Sequence, residues 1–262
     1  MNPARDSGGA CRRLDGKRVL VTGAERGIGR ALALGCAAEG AAVAIHYVDS
    51  EAAADEAVSA VHAGGGRAVA VCADLADPGQ IGPLLDAAES SLGLIDVLIN
   101  NAGVLLRKPF LETAPTDLAL TLGVDLVAPF LLSQLFAKRL IDAGKGGSII
   151  NVSSVSQERA APGLVAYQCA KAGAWMLTRG LALELAQYNI RVNSIAPGTT
   201  VTSLNRDLLS IPAVAQERLA TIPLGRFGRP EDHVGAAVFY ASEESSWVTG
   251  TSLVVDGGIT VR

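Results

Sequence analysis

Apolar residues along this chain gather into short continuous runs, separated by longer stretches rich in Ala and Leu. The runs are KRVLVTG at 17–23, AAVAIHY at 41–47, RAVAVCAD at 67–74, IDVLINNAG at 95–103, GSIINVSS at 147–154, IRVNSIAPG at 190–198 and TSLVVDGG at 251–258. They do not alternate apolar with polar. Strands buried on both faces read this way, which implies parallel pairing through helical crossovers. The stretches between them predict helices over 28–40, 51–63, 77–92, 114–142 and 165–187. Regular alternation of the two kinds of element predicts one α/β domain, a doubly wound parallel seven-stranded sheet with helices on both faces. Residues 199–229 fit neither pattern. Pro212, Pro223 and Pro230 divide that region into short helical pieces, and it predicts a small lid over the carboxyl ends of the strands. Residues 1–14 predict a loose polar tail, and 15–262 the single domain.

Composition narrows the function classes. A length of 262 residues, 49% of them apolar and only 18% charged, suits a full hydrophobic core and excludes a disordered chain. The net charge of −4 leaves no footprint for nucleic acid or an anionic membrane. Cys11, Cys36, Cys72 and Cys169 form no CxxC and no cluster with histidine. Neither a disulfide framework nor a metal site is expected, and a reducing cytoplasm is the natural compartment. The N-terminal residues lack the apolar centre of a signal peptide, and no apolar run approaches the roughly 18–20 residues of a membrane span.

Two short segments carry candidate chemistry. TGAERGIG at 22–29 joins the first predicted strand to the first helix. Gly23 permits a sharp turn there. Gly27 and Gly29 remove Cβ atoms, so a pyrophosphate can approach the backbone and the helix N-terminus. A glycine turn with no ligand is the plainer alternative. AYQCAK at 166–171 puts Tyr167 and Lys171 four residues apart on one face of a helix. As a surface pair this spacing contributes only a few tenths of a kcal/mol. A free phenol titrates near 10, and a neighbouring ammonium lowers that value, so the pair predicts a proton-transfer group. Ser154 and Ser153 end the fifth strand and point opposite ways, so only one of them can face the same pocket.

Taken in order, TGAERGIG, DL at 74–75, NNAG at 100–103, Ser154, YQCAK and PGTTVT at 197–202 resemble the motifs of the short-chain dehydrogenases/reductases, over residues 15–262. The resemblance implies a Rossmann-like fold and hydride transfer between a nicotinamide cofactor and a carbonyl or secondary alcohol. It implies cofactor contacts from Gly23, Glu25, Arg26, Gly27, Ile28, Gly29, Tyr47, Asp74, Leu75, Asn101, Ala102, Gly103, Tyr167, Lys171, Pro197, Gly198, Thr200 and Thr202. It selects Ser154 to hold the substrate oxygen beside Tyr167 and Lys171. The family usually has an Asn in the long fourth helix; Asp125 stands there in VDLVAPF, which puts the proton relay through that position in question. Relatives are usually homotetramers built on the long helices and the last strand.

Cofactor preference turns on the end of the second strand. An acidic residue there grips a ribose 2′-OH and repels a 2′-phosphate. This chain has Tyr47, with Arg26 in the glycine turn able to pair with phosphate and His46 and Ser50 as further donors. Asp49 argues the other way. NADP is therefore favoured over NAD. The substrate, a small molecule, should meet Gln157, Glu158, Arg159, Asn205 and Arg206. The lid is similar to those of sugar 1-dehydrogenases acting on rhamnose or glucose, which implies an aldose 1-dehydrogenase giving a lactone. A 3-oxoacyl thioester reductase is the enzyme alternative; it would need a basic patch, for which Arg107, Lys108 and Arg139 are the candidates. A dinucleotide-sensing binding protein that has lost the chemistry is the non-enzyme alternative.

Overall fold

The computed structural model describes residues 12–262. The seven strands are β1 (Arg18–Val21), β2 (Ala42–Tyr47), β3 (Arg67–Cys72), β4 (Val97–Asn100), β5 (Gly147–Val152), β6 (Ile190–Pro197) and β7 (Ser252–Val255). They form one sheet in the order β3-β2-β1-β4-β5-β6-β7, every neighbouring pair parallel. Strand order reverses between β1 and β4, and the crevice at their carboxyl ends is where such sheets bind ligands.

The unbroken apolar runs have a direct cause. Val19, Val21, Ile45, Ile99 and Ile150 point to one face of the sheet, where they pack with helices α1 (Gly27–Ala38), α2 (Glu51–Ala63) and α9 (Val234–Ala241). Leu20, Ala44, Leu98, Ile149 and Val192 point to the other. They meet α3 (Ile81–Leu92), α5 (Ala128–Asp142) and α6 (Val165–Leu185). Both sides of the pleat are dry, so both phases of the period are apolar. The outermost strand β7 is the exception, with Leu253 and Val254 exposed.

Three expectations need correction. The tail does not extend to residue 14: the Leu14 side chain is fully buried in the core and Leu14 N donates to Glu39 O. The part of the tail at 1–11, with Cys11, lies outside the described residues. The helix expected over 114–142 is α4 (Pro115–Leu122), a π-helical turn (Gly123–Val127) and then α5. Pro129 has no N–H for the Asp125 carbonyl four residues back, and its ring would crowd that carbonyl, so the ladder widens there to an i→i+5 bond from Ala128 N to Gly123 O. The helical stretch Pro115–Asp142 is also long and apolar enough to cross a membrane by length and composition, which the short runs had not suggested. Here its Leu132, Phe136 and Leu140 fill one core instead.

The region after β6 contains α7 (Arg206–Leu209) and α8 (Pro212–Leu219), neither with a buried residue. Its two ends are joined by a bridge between Thr200 and Gly228, and Leu224 N donates to Gly257 O near the C-terminus.

Candidate active site

The turn after β1 is built by left-handed glycines, one close backbone approach and hydrogen bonds to the end of β4. Gly23 and Gly27 have φ of +58° and +57°, which residues with a Cβ rarely adopt. A Cβ on Gly29 would lie 2.2 Å from Gly23 O and 2.4 Å from Asn101 Nδ2. Asn101 Nδ2 donates to Thr22 O at 2.9 Å and to Gly23 O at 3.0 Å, while Thr22 Oγ1 accepts from Asn101 N and Ala102 N, both at 2.9 Å. The NNAG segment is thus latched to the glycine turn, and the Asn101 amide is used for that latch. At the N-terminus of α1, Arg26 provides no side-chain cap and the first turn has no acidic residue. Its free N–H groups and dipole suit an anion. Thr202 lies across this turn, its Cγ2 3.5 Å from where a Cβ on Gly27 would be. Two segments far apart in sequence therefore face each other as the sides of one cradle.

His46 does not serve as the donor expected for a phosphate. It is 2% exposed, its Nδ1 accepts from Gly23 N at 2.9 Å and its Nε2 lies 3.0 Å from Ala73 O. Burial lowers its pKa. It acts as a neutral strut between the glycine turn and the end of β3. Ser50 caps α2, accepting from Ala53 N. Tyr47 is half-buried at the end of β2. Arg26 and Asp49 are brought together, Nη2 to Oδ2 3.1 Å, and Arg26 Nε lies 3.4 Å from the buried Glu25. Asp74 is exposed and accepts from Ala76 N, beside buried Leu75.

The nicotinamide-side segment holds another surprise. The Thr200 hydroxyl is turned inward to His233 Nε2, 2.8 Å away, so only its backbone remains for a carboxamide. Gly198 packs against Asp256, where a Cβ would come within 2.6 Å of Asp256 Cα. Nothing in the sequence had singled out His233; it follows the acidic pair Glu231–Asp232 and reads as part of a polar loop.

Tyr167, Lys171, Ser154 and Asp125 come together at the carboxyl ends of β4 and β5. Lys171 is 5% exposed and its Nζ is 5.5 Å from the Tyr167 ring centroid, which rules out a solvated surface pair. Nζ also donates to Val152 O at 3.2 Å. Asp125, carried inward by the π-helical turn, accepts from Val104 N at 2.7 Å and lies 3.3 Å from Nζ. Burial pushes the Asp125 carboxyl up, opposed by Lys171 and the Val104 N–H. Burial would lower Lys171, but Asp125 and Tyr167 outweigh it and hold it raised. Tyr167 is half-buried. Burial drives its phenol up, and Asp125 adds to that; Lys171 lowers it, as does the Ser154 hydroxyl, and the net direction is upward. Ser153 faces away from this group, hydrogen-bonded to Gln157 Oε1 and Ile195 O.

The residues expected at the substrate are mostly engaged elsewhere. Gln157 reaches Ser153, Glu158 and Ser252. Arg159 donates to Ile259 O. Asn205 closes the base of the lid, accepting from Thr202 N and donating to Thr200 O. Glu158 and Arg206 are exposed. The basic patch needed for a thioester carrier does not form: Lys108 pairs with Asp117, Arg139 with Asp86 and Glu89, and Arg107 donates to Pro162 O.

A family model described as enoyl-(acyl carrier protein) reductase matches residues 23–260. An L-rhamnose 1-dehydrogenase (NAD(P)(+)) from Sphingomonas sp. is 40% identical over 249 residues, 95% of this chain and 98% of that protein. A 3beta-hydroxysteroid dehydrogenase 1 from Eggerthella lenta is 40% identical over 250 residues, 95% of each. Among solved structures, a gluconate 5-dehydrogenase from Burkholderia cenocepacia in complex with NADP and tartrate superposes with a TM-score of 0.90 at 38% identity, covering 96% of this chain and 98% of that one.

Proposed function

Because this chain belongs to the short-chain dehydrogenase/reductase family, we propose that it is an NAD(P)-dependent aldose 1-dehydrogenase, oxidising the anomeric C1–OH of a pyranose to the lactone. The observation that carries the chemistry is the half-buried Tyr167 grouped with buried Lys171 and Ser154 beside the glycine turn. The cradle fits a dinucleotide: an uncapped helix N-terminus, a Gly29 whose Cβ would fill the turn, and Thr202 closing the far side. Bound there, an oxidised nicotinamide would accept the hydride and add positive charge near the phenol, lowering it further than Lys171 alone.

This chain's own residues handle the proton. Tyr167 removes the O1 proton while the C1 hydrogen leaves with its electron pair, and the C1–O1 bond becomes the lactone carbonyl. Ser154 donates to O1 and holds it against Tyr167. Lys171 stabilises the phenolate and keeps a donor for ribose hydroxyls. The likeness to an L-rhamnose 1-dehydrogenase along nearly the whole chain supports a sugar. The engaged state of Arg107, Lys108 and Arg139 weighs against a thioester carrier.

The reading includes a homotetramer in the cytoplasm. Phe130 and Val127 on the long helix, Leu183 on α6, Trp247, and Leu253 with Val254 on the edge strand are exposed apolar groups that a second copy would cover. Cys36, Cys72 and Cys169 are free thiols, which suits a reducing compartment.

Initial rates with NAD+ and NADP+ test the substrate, using L-rhamnose, D-glucose, L-fucose, D-gluconate and a 3β-hydroxysteroid, alongside acetoacetyl-CoA with NADPH. The highest rates are expected with an aldose. Turnover confined to the steroid or the thioester overturns the assignment.

A further inference from the structure

The structure assigns Asp125 as the fixed counter-ion of Lys171, a positioning residue that holds the ammonium against Tyr167 and offsets part of its charge there. The inference rests on the proton-transfer role given to Tyr167 above.

Asp125 is 1% exposed. A carboxylate that dry is costly unless each oxygen finds a partner. Oδ1 takes the Val104 N–H at 2.7 Å. Among the described residues Oδ2 has no partner except the Lys171 ammonium at 3.3 Å. Gly103 walls the pair in: a Cβ there would sit 3.3 Å from both carboxylate oxygens and 3.4 Å from Nζ. Water has little access, so the pair is weakly screened. Both oxygens face donors, an arrangement that selects the ionised carboxylate.

The ammonium has three donors. Val152 O takes one at 3.2 Å and Asp125 faces another. The third is left for ribose hydroxyls, and the ammonium acts on the phenol through space, 5.5 Å from its ring centroid. The charged and polar groups facing Tyr167 come from three elements. They are Lys171 one turn along α6, Asp125 from the π-helical turn, and the Ser154 hydroxyl beyond β5. Asp125 is the one anion among them. It therefore does two separable things: it orients Nζ, and it subtracts from the field Nζ exerts on the phenol.

Asp125→Asn removes the charge and keeps the shape. Its single oxygen accepts from Val104 N, its NH2 stands where Oδ2 faced the ammonium, and Val152 O continues to hold Nζ. The phenolate absorbance of wild-type protein and the Asn variant is titrated, each corrected with its Tyr167→Phe counterpart to isolate residue 167. The midpoint is expected to move down by about one pH unit in the variant, as removal of a close like charge does. The acid limb of kcat/KM for sugar oxidation is expected to move the same way. An unchanged midpoint in folded Asp125→Asn overturns the proposal. Should that variant not fold, Asp125→Ser, which also removes the charge, must show the same downward shift; an unchanged midpoint there overturns it equally. The absorbance titration needs no substrate, so inactivity toward every sugar would refute the function proposed above and leave the role of Asp125 to be decided by the titration.

Discussion

The proposed NADP preference puts a measurable demand on the Arg26–Asp49 pair. The two side chains meet at 3.1 Å and both are well exposed, 50% and 68%. In that proposal Arg26 is the cation that would hold a 2′-phosphate, and it would have to turn from Asp49 to do so. An exposed pair of this kind is worth about 0.2–1 kcal/mol. A phosphate dianion about 5 Å from Asp49 would be repelled by about 1.7 kcal/mol at the dielectric of water, less once salt screens it. Replacing Asp49 with Asn removes both costs. The expected gain for NADP is about 1–2 kcal/mol, or roughly 5- to 30-fold in the ratio of kcat/KM for NADP+ over NAD+. Raising ionic strength should shrink the difference between wild type and variant. Arg26→Ala should act in the opposite sense, weakening NADP and leaving NAD nearly untouched. The assay is initial-rate kinetics with both cofactors at saturating sugar. An unchanged ratio in Asp49→Asn, or equal loss of both cofactors in Arg26→Ala, would refute the phosphate role.

Two further outcomes follow from other parts of the structure. His46 is held neutral by burial, so its folded pKa lies below the unfolded value near 6.5; unfolding binds a proton, and the stability is full above that value and is lost as pH falls through it. Stability should therefore fall between pH 7.5 and 5.5, by up to about 1.4 kcal/mol per pH unit for this group, and the thermal midpoint with it; His46→Asn should flatten that slope, and an equal slope in the variant would remove His46 as the cause. Trp247 is 99% exposed and Leu253 lies on the unpaired edge of the sheet, so Trp247→Arg with Leu253→Lys should lower the mass measured by light scattering from a tetramer to a smaller species, and a wild-type monomer would contradict the assembly.

How much of this was legible in the chain differs from feature to feature. The sheet was, because burial on both faces leaves an unbroken apolar run such as Val19–Val21 or Val97–Ile99. The glycine turn was, because Gly29 meets backbone so closely that no other residue fits. The meeting of Tyr167 with Lys171 follows from helix periodicity alone. The π-helical turn was missed, although Pro129 four residues after Asp125 was a readable sign of a broken ladder. The inward Thr200–His233 bond and the His46 strut could not be read, because each joins residues whose proximity only the folded chain creates. The balance at the phenol was readable only in part: the ammonium that lowers it is visible in YQCAK, whereas burial and the Asp125 charge, which raise it, are tertiary effects. Gln157 and Asn205 look free for a substrate in sequence, and are instead tied into the loop and lid that carry them.

The account stands or falls on the Tyr167 hydroxyl. Tyr167→Phe removes a single oxygen from a half-buried ring, so the fold and the dinucleotide cradle should persist. Single-turnover rates with L-rhamnose, measured beside cofactor affinity, decide the matter. The account predicts a fall of about 100- to 10,000-fold in the rate with cofactor binding within about twofold of wild type. A variant that oxidises the sugar at the wild-type rate would contradict it.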